Sequence, residues 1–264
     1  MGARVITISS GKGGVGKTTT SANIGVALAR LGKKVVLIDA DIGLRNLDVV
    51  MGLENRIVYD LVDVIEGRCR LQQAMIKHKK LGDLYLIPAA QTRDKTSVSP
   101  ADMIHITDKL RQEFDFIVID SPAGIERGFR NALAPADEVL IVTNPEVSAV
   151  RDADRIIGLV ENDRKTARLI LNRLKPEMVK RGEMLSADDV VDILALDIVG
   201  IVPEDEHVIP ASNSGVPVTL NENSQAGLAF RNIARRLTGE DVPLMTLEEN
   251  NGFFKRLSRL FGGR

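Results

Sequence analysis

A glycine-rich loop that ends in a lysine and two threonines stands near the start of the chain. Residues 11–19 read Gly-Lys-Gly-Gly-Val-Gly-Lys-Thr-Thr and satisfy the phosphate-binding pattern G-x-x-x-x-G-K-[ST]. Glycines let successive backbone N–H groups point at phosphate oxygens, and a helix that follows adds the positive end of its dipole. Lys17 is placed to reach the β- and γ-phosphates, and the Thr18 hydroxyl is a ligand for Mg²⁺. The nucleotide-binding residues predicted in this loop are Gly11, Lys12, Gly13, Gly14, Val15, Gly16, Lys17, Thr18 and Thr19.

Two acidic residues each end an apolar run that is typical of a buried strand. Asp39 ends Val-Val-Leu-Ile-Asp, and Asp120 ends Phe-Ile-Val-Ile-Asp, which has the Walker B form. Because parallel strands end at one edge of a sheet, both carboxylates are expected near the phosphates, where they hold the metal or its waters. The predicted Mg²⁺ site therefore consists of Thr18, Asp39 and Asp120.

The same loop also fits the dinucleotide pattern G-x-G-x-x-G, with Asp39 standing 23 residues beyond its last glycine. A nicotinamide dinucleotide has no use for Lys17-Thr18, whereas a triphosphate with Mg²⁺ requires this pair. A second acid, Asp41, and the Walker B strand that ends in Asp120 favour the triphosphate as well. We therefore expect ATP and Mg²⁺ rather than NAD.

Apolar runs and longer helical stretches alternate along the chain. This alternation predicts an α/β fold with a doubly wound, mainly parallel sheet and helices on both faces, as in P-loop NTPases. The predicted strands are Arg4–Ser9, Lys34–Asp39, Leu84–Pro88, Phe116–Asp120, Glu138–Thr143, Ala167–Asn172 and Ile198–Val202. The predicted helices are Lys17–Leu31, Ala101–Glu113, Ser148–Glu161, Ser186–Leu194 and Gln225–Leu237.

Composition narrows the class of protein. The chain has 264 residues, 44% of them hydrophobic and 27% charged, which excludes a wholly disordered chain. The net charge of -1 gives no global attraction to nucleic acid. The single cysteine, Cys69, rules out an internal disulfide, a cysteine-rich metal site and an iron–sulfur cluster. We find no signal-peptide pattern and expect a reducing cytosol.

The last twelve residues combine large apolar side chains with basic ones and contain no acid. If residues 253–261 form a helix, its five Phe and Leu side chains fall within an arc of about 120°, and Lys255, Arg256, Ser258 and Arg259 lie on the other side. Such a segment predicts an amphipathic helix that binds an anionic membrane surface, although a helix packed back on the body is the alternative. The predicted organisation is an ATPase domain at 1–239, a polar linker at 240–252 and a membrane-targeting tail at 253–264. The membrane-binding residues are Phe253, Phe254, Lys255, Arg256, Leu257, Arg259, Leu260 and Phe261.

The phosphate-binding loop has one unusual feature, a second lysine early in the motif. The segment 12–18, Lys-Gly-Gly-Val-Gly-Lys-Thr, resembles the deviant Walker A loop of the ParA/MinD ATPases. The resemblance extends over nearly the whole chain. It includes segments 38–48, 91–95, 120–126, 143–148, 151–155 and 203–205 and the phenylalanine-rich basic tail.

The resemblance implies a homodimer in which ATP is sandwiched between two subunits. Lys12 then crosses the interface to the partner's nucleotide and supplies charge as an arginine finger does. Asp41 positions the attacking water, so the implied catalytic residues are Lys12, Lys17 and Asp41. Glu146 reaches the partner's ribose. The plainer alternatives are a solvated surface lysine at position 12 and a turn or helix cap at position 41.

The resemblance also implies a site for the adenine base. Asn172 offers both a donor and an acceptor, which suits the edge of a base, although a structural Asn at a turn fits the sequence equally well. The predicted base-side residues are Asn172, Arg173, Pro203 and Asp205.

The resemblance implies a role in placing the cell or plastid division site. The resemblance implies recruitment of a MinC-like division inhibitor, stimulation by a MinE-like ATPase activator, and release from the membrane on hydrolysis. It also implies a cytoplasmic protein that is peripheral on the inner face of the cell membrane, or a stromal one at the inner envelope of a plastid. Arg151, Asp152 and Asp154 are candidate partner-binding residues or, alternatively, solvated helix positions.

Two other functions remain open at this stage. A ParA-type DNA-partitioning ATPase would use Arg231, Arg235 and Arg236 on the last predicted helix of the body to contact phosphates. The near-neutral net charge and the amphipathic tail disfavour it, and no nucleic-acid partner is expected. A metabolic P-loop enzyme would need no tail and would hydrolyse ATP only with its second substrate.

Overall fold

Eight strands form one sheet, in the order β3-β4-β2-β5-β1-β6-β7-β8, with every neighbouring pair parallel except β3 and β4. The computed structural model describes residues 2–245, apart from the side chain of Lys95. The strands are β1 (Arg4–Ser9), β2 (Val35–Asp39), β3 (Ile76–Lys77), β4 (Leu84–Ile87), β5 (Phe116–Asp120), β6 (Glu138–Thr143), β7 (Thr166–Leu174) and β8 (Ile198–Pro203).

Helices cover both faces of this sheet, which confirms the predicted fold class. The α-helices are α1 (Lys17–Arg30), α2 (Leu47–Val50), α3 (Leu61–Ile65), α4 (Leu71–Ala74), α5 (Pro100–Leu110), α6 (Arg127–Leu133), α7 (Val147–Asn162), α8 (Pro176–Lys180), α9 (Ala187–Leu194), α10 (Val208–Asn213) and α11 (Gln225–Leu237). Helices α1 and α11 share one apolar cluster with Ile6 and Ile8 of β1. Helices α5 and α7 bury their apolar faces in two other clusters, with Val5 and with Ile141 respectively.

The central strands are buried on both faces, as their continuous apolar runs require. All five residues of β2 and all five of β5 are buried. The two strands are neighbours in register, with Asp39 opposite Asp120. The carboxyl end of the sheet therefore brings the two acids together, directly beside the strand that leads into the glycine loop.

The sequence predictions missed the short elements. Strand β3 has only two residues, and the missed helices α2, α3, α4, α6, α8 and α10 have four to seven residues each. Elements this short complete at most two turns, so they carry too little hydrophobic periodicity to be recognised. Predicted strand β7 was too short, because the strand begins at Thr166 and continues to Leu174.

Residues 240–245 lie against the body of the protein. The Arg236 guanidinium donates to the carbonyls of Val199, Val242 and Pro243, and Met245 packs against the apolar cluster of α1 and α11. The first residues of the predicted linker thus have partners on the domain. The rest of the linker and the predicted amphipathic tail at 253–264 lie outside the described residues. Within 2–245, no helix combines the length and the apolar character needed to cross a bilayer.

Candidate functional site

The glycine loop presents the free N-terminus of helix α1. Gly14 and Gly16 have φ angles of 80° and 97°, which residues with a side chain adopt only under strain. Gly16 is the N-cap of α1, and among the described residues no side chain caps that end. The first N–H groups of the helix are therefore available to phosphate oxygens, as the loop motif predicts.

The loop is packed closely on the elements around it. A Cβ atom at Gly11 would stand 2.1 Å from the carbonyl oxygen of Asp152 in α7, and one at Gly16 would stand 2.4 Å from Nδ2 of Asn172. The Asn172 amide donates to the Val15 carbonyl at 2.7 Å. Both glycines are thus required for space, and the β7 strand end helps to fix the loop.

Asp39 is fully buried and accepts two backbone hydrogen bonds. The N–H of Asp41 donates to Oδ1 at 3.0 Å, and the N–H of Leu47, the first residue of α2, donates to Oδ2 at 3.2 Å. Burial raises the pKa of Asp39 to about 8, and the charge of Asp120 adds to the rise, although the two N–H groups oppose it. The carboxyl group is therefore one that a cation would stabilise strongly.

Asp120 is also buried, and its surroundings include donors and a cation. Burial raises the pKa of Asp120, against the opposing effects of the Lys17 ammonium and of hydrogen bonds from Thr18 and Ser21. The Ser21 hydroxyl donates to Asp120 Oδ1 at 2.8 Å. Sequence reasoning missed Ser21, although its position three residues after Thr18 places it on the same face of α1.

The donor set fits Mg²⁺ held partly by protein. The described residues contain no group of three or more His, Cys, Asp or Glu side chains that could bind a metal ion by themselves. Mg²⁺ prefers oxygen ligands and keeps several waters, with one or two carboxylates and phosphate oxygens completing its shell. The Thr18 hydroxyl with the paired carboxylates of Asp39 and Asp120 matches that chemistry. Asp41 lies two residues beyond Asp39, partly exposed at the same edge.

Lys12 points toward α7 and its N-cap. Its Nζ lies 3.3 Å from the Ser148 hydroxyl and 3.9 Å from a Glu146 carboxylate oxygen. The side chain of Lys12 is 45% exposed and that of Glu146 is 54% exposed. The early lysine and the predicted ribose contact are therefore neighbours at the surface.

A small cavity lies beside the glycine loop, next to the ends of β7 and β8. It is a cavity of about 120 Å³ whose lining includes Gly16, Asn172, Arg173, Pro203 and Asp205. The structure thus brings together the four residues predicted to surround the base. Their contacts with a base stay a prediction.

The Asp205 carboxylate is occupied by partners within the chain. It accepts from the Ser224 hydroxyl at 2.6 Å, the Ala226 N–H at 3.0 Å, and the backbone and ring nitrogens of His207 at 2.9 and 2.7 Å. Burial would raise the pKa of Asp205, but these hydrogen bonds outweigh it and lower the pKa to about 2. The carboxylate therefore ties the loop after β8 to the start of α11, a role the sequence did not indicate.

The three predicted partner-binding residues lie on α7. Arg151 and Asp154 are exposed, whereas Asp152 is half-buried against the glycine loop. This helix therefore connects a charged outer surface to the phosphate-binding loop.

The arginines of the DNA-binding alternative have partners inside the protein. Arg231 donates to the carbonyls of Thr219 and Asn221, and Arg235 pairs with Glu240 at 2.7 Å. Arg236 donates to three backbone carbonyls, as described above. A phosphate would have to compete with these contacts, which weakens that alternative.

A phosphate-binding loop before α1, a Walker B acid on β5 and a lysine at the second position of the loop define a P-loop ATPase of the deviant Walker A class. The family model "AAA domain" matches residues 3–173. The chain is 56% identical to the septum site-determining protein MinD of Bacillus subtilis over 263 residues, covering 98% of each chain.

Solved structures agree with this similarity. MinD in the MinC:MinD cell division protein complex of Aquifex aeolicus has a TM-score of 0.86 at 52% identity, covering 92% of this chain and 99% of that chain. MinD of Pyrococcus horikoshii, complexed with Mg-ADP, has a TM-score of 0.82 at 28% identity, covering 89% and 96% of the two chains. The chain belongs to the MinD family of septum site-determining ATPases.

Proposed function

We propose that this chain is a dimerising, Mg²⁺-dependent ATPase switch that binds the membrane in its ATP state and places the division site by recruiting a division inhibitor. Hydrolysis of ATP then releases it. The observation that carries the proposal is the position of Lys12. Its ammonium pairs at the surface with Ser148 and Glu146 rather than with the buried acids Asp39 and Asp120. Because these contacts are long and exposed, Lys12 can exchange them for a nucleotide held by a second copy.

Each residue of the site then has a distinct role in hydrolysis. Lys17 and the N–H groups of the loop bind the phosphates, and Thr18, Asp39 and Asp120 hold Mg²⁺, which when bound neutralises charge on the β- and γ-phosphate oxygens. Asp41 orients the attacking water. Lys12 of the partner subunit adds positive charge as the transition state forms, so hydrolysis requires the dimer.

The hydrogen bonding of Asn172 supports selectivity for adenine. One N–H of its Nδ2 donates to the Val15 carbonyl, and we infer that Oδ1 is the acceptor that faces the cavity beside Pro203. An amide oxygen accepts a hydrogen bond from the exocyclic amino group of adenine but opposes the carbonyl oxygen of guanine. We expect competition binding to favour ATP over GTP by at least tenfold, and equal affinities would contradict this role.

The tail explains how the ATP state reaches the membrane. One segment of about ten residues binds weakly, with each basic residue contributing about 1 kcal/mol near an anionic leaflet. Two tails on one dimer gain about 10²-fold through effective concentration. Dimerisation by ATP therefore couples the site to membrane residence.

The relatives support a division partner. MinD of Aquifex aeolicus was solved in a complex with MinC. The exposed residues Arg151 and Asp154 on α7 offer charged contacts to such an inhibitor, and a MinE-like activator is the proposed trigger of hydrolysis. Location at the inner face of the cell membrane, or at the plastid envelope, follows from the same proposal.

Sedimentation with anionic vesicles tests the switch. The full chain and a chain that ends at Asn251 are each measured with ATP and with ADP. We expect the full chain to sediment with ATP only and the shortened chain to stay in solution in both states. Phe254→Glu should behave like the shortened chain without a change in nucleotide affinity. Equal sedimentation with ATP and with ADP would contradict the proposed coupling between nucleotide state and membrane binding. DNA partitioning would then be the better hypothesis.

A further inference from the structure

A serine that no motif includes stands behind the proposed metal site. Ser21 is fully buried in α1, one helical turn beyond Thr18. Its hydroxyl oxygen lies 2.8 Å from Asp120 Oδ1 and 3.1 Å from the carbonyl oxygen of Lys17. The hydroxyl has one hydrogen, so it can donate to only one of these acceptors at a time. The carboxylate is the closer acceptor, and a charged acceptor forms the stronger bond.

The contact fixes one oxygen of Asp120. Asp120 is 2% exposed, so water cannot replace a missing donor. With Oδ1 held from the α1 side by Ser21, the carboxylate keeps one orientation at the end of β5. Its remaining acceptor capacity then faces the Thr18 hydroxyl and the phosphate-binding side.

We propose that Ser21 is a positioning residue for Mg²⁺, which holds the Asp120 carboxylate in the orientation that receives the ion or its waters. This inference rests on the proposed function, because it takes the Thr18, Asp39 and Asp120 set as the Mg²⁺ site. Loss of a hydrogen-bond partner behind a ligand typically weakens metal affinity by about 10- to 100-fold. The Ser21 hydroxyl is buried against Asp120 and the Lys17 carbonyl, so we expect its loss to leave phosphate binding by the loop unchanged.

The neighbouring residue offers a matched control. Thr20 is also fully buried in α1, and its hydroxyl donates to the Gly16 carbonyl at 2.9 Å without contacting a carboxylate. Thr20→Val removes that buried hydroxyl at nearly constant volume. Ser21→Ala removes the hydroxyl that contacts Asp120, and alanine is a good helix former.

The test is a Mg²⁺ titration of the full chain in which the binding of a fluorescent ADP analogue is measured at each Mg²⁺ concentration. Binding of the analogue is also measured in EDTA, so that nucleotide affinity and metal affinity are separated. We expect Ser21→Ala to raise the Mg²⁺ concentration at half-maximal effect by about 10- to 100-fold and to leave the affinity in EDTA within about twofold. Thr20→Val should leave the Mg²⁺ midpoint within about threefold of the parent.

The outcomes distinguish a failure of the proposed Mg²⁺-dependent function from a failure of the proposed role of Ser21. A parent chain whose binding does not respond to Mg²⁺ contradicts the proposed function itself. A parent that responds normally, with the same midpoint in Ser21→Ala, overturns the role of Ser21 alone. An equal rise in Ser21→Ala and Thr20→Val, or a loss of affinity in EDTA, would also overturn it, because either result indicates general disturbance of α1.

Discussion

A buried pair of acids, Asp39 and Asp120, and a half-buried acid, Asp205, lie at the carboxyl end of the same sheet and differ in their hydrogen-bond partners. On the phosphate side, Asp39 and Asp120 lie opposite one another on adjacent strands, and burial raises the pKa of each. In the loop after β8, Asp205 accepts four hydrogen bonds, and they lower its pKa to about 2 although partial burial opposes them.

This difference in partners separates acids suited to bind a cation, Asp39 and Asp120, from an acid that stabilises the fold, Asp205. A carboxylate saturated by donors is already stabilised as an anion and contributes to stability without any ligand. Two neighbouring carboxylates with too few donors are costly until a cation joins them. The distinction depends on partners that are remote in sequence, since Ser224 and Ala226 lie about 20 residues from Asp205.

The largest expected effect is on the phosphate side. Asp120→Asn removes a charge from the proposed Mg²⁺ site, so we expect hydrolysis to fall by at least about 100-fold. The free energy of unfolding without nucleotide should stay equal or rise, because a buried charge is removed. Steady-state phosphate release and urea unfolding measure the two quantities. If Asp120→Asn lowered the free energy of unfolding as well as the rate of hydrolysis, Asp120 would contribute to the stability of the fold as Asp205 does.

Asp205→Ala should show the opposite pattern. Four donors lose their acceptor, so we expect a loss of about 3 kcal/mol in the free energy of unfolding at pH 7. The folded-state pKa of about 2 lies below the ordinary 3.8, so this stability is present above about pH 4 and is lost as the pH falls toward 2. Urea unfolding of the parent and the variant at pH 7 and at pH 3 measures the difference. A difference that did not shrink at pH 3 would contradict the ionic role.

Asp39→Asn should change the pH dependence of stability. The folded-state pKa of about 8 lies above the ordinary 3.8, so the folded parent holds this proton more tightly and loses stability as the pH rises from about 4 to 8. We expect the variant to lack this loss and to exceed the parent by about 1–3 kcal/mol at pH 8 without Mg²⁺. Unfolding curves at pH 5 and pH 8 test this. Parallel pH profiles for the two chains would show that Asp39 is already stabilised as an anion.

Ser224→Ala should have the smallest effect. Ser224 donates to Asp205 and also caps α11 by accepting from the Gly227 N–H at 2.8 Å. We expect a loss of about 1–2 kcal/mol in the free energy of unfolding, because Asp205 keeps its other donors. Hydrolysis at saturating ATP should be unchanged, and a tenfold loss of turnover would indicate that the loop after β8 contributes to chemistry.

The seven parallel strands and the loop could be predicted from the sequence because they have strong local signals, whereas the two-residue strand β3 could not. The P-loop occupies consecutive positions, and the residues before Asp120 are a short, continuous apolar run that is typical of a buried strand. Two partners of Asp205 could not be predicted, because Ser224 and Ala226 meet it only after α11 packs on β8, whereas His207 is a local contact two residues away. The spacing of Ser21 from Thr18 puts both residues on one face of a helix, which the sequence does indicate. No sequence pattern distinguishes Ser21 from Thr20, however, because only the structure shows which of them contacts Asp120.

Mixing two inactive variants tests most directly whether Lys12 acts across a dimer. Lys12→Ala keeps its own metal site but supplies no lysine to its partner, whereas Asp120→Asn supplies the lysine but lacks a working site. In an equal mixture, half of the dimers pair the two variants, and each has one complete site, so hydrolysis should return to about one quarter of the parent rate. A mixture that is no more active than the separate variants would contradict the account.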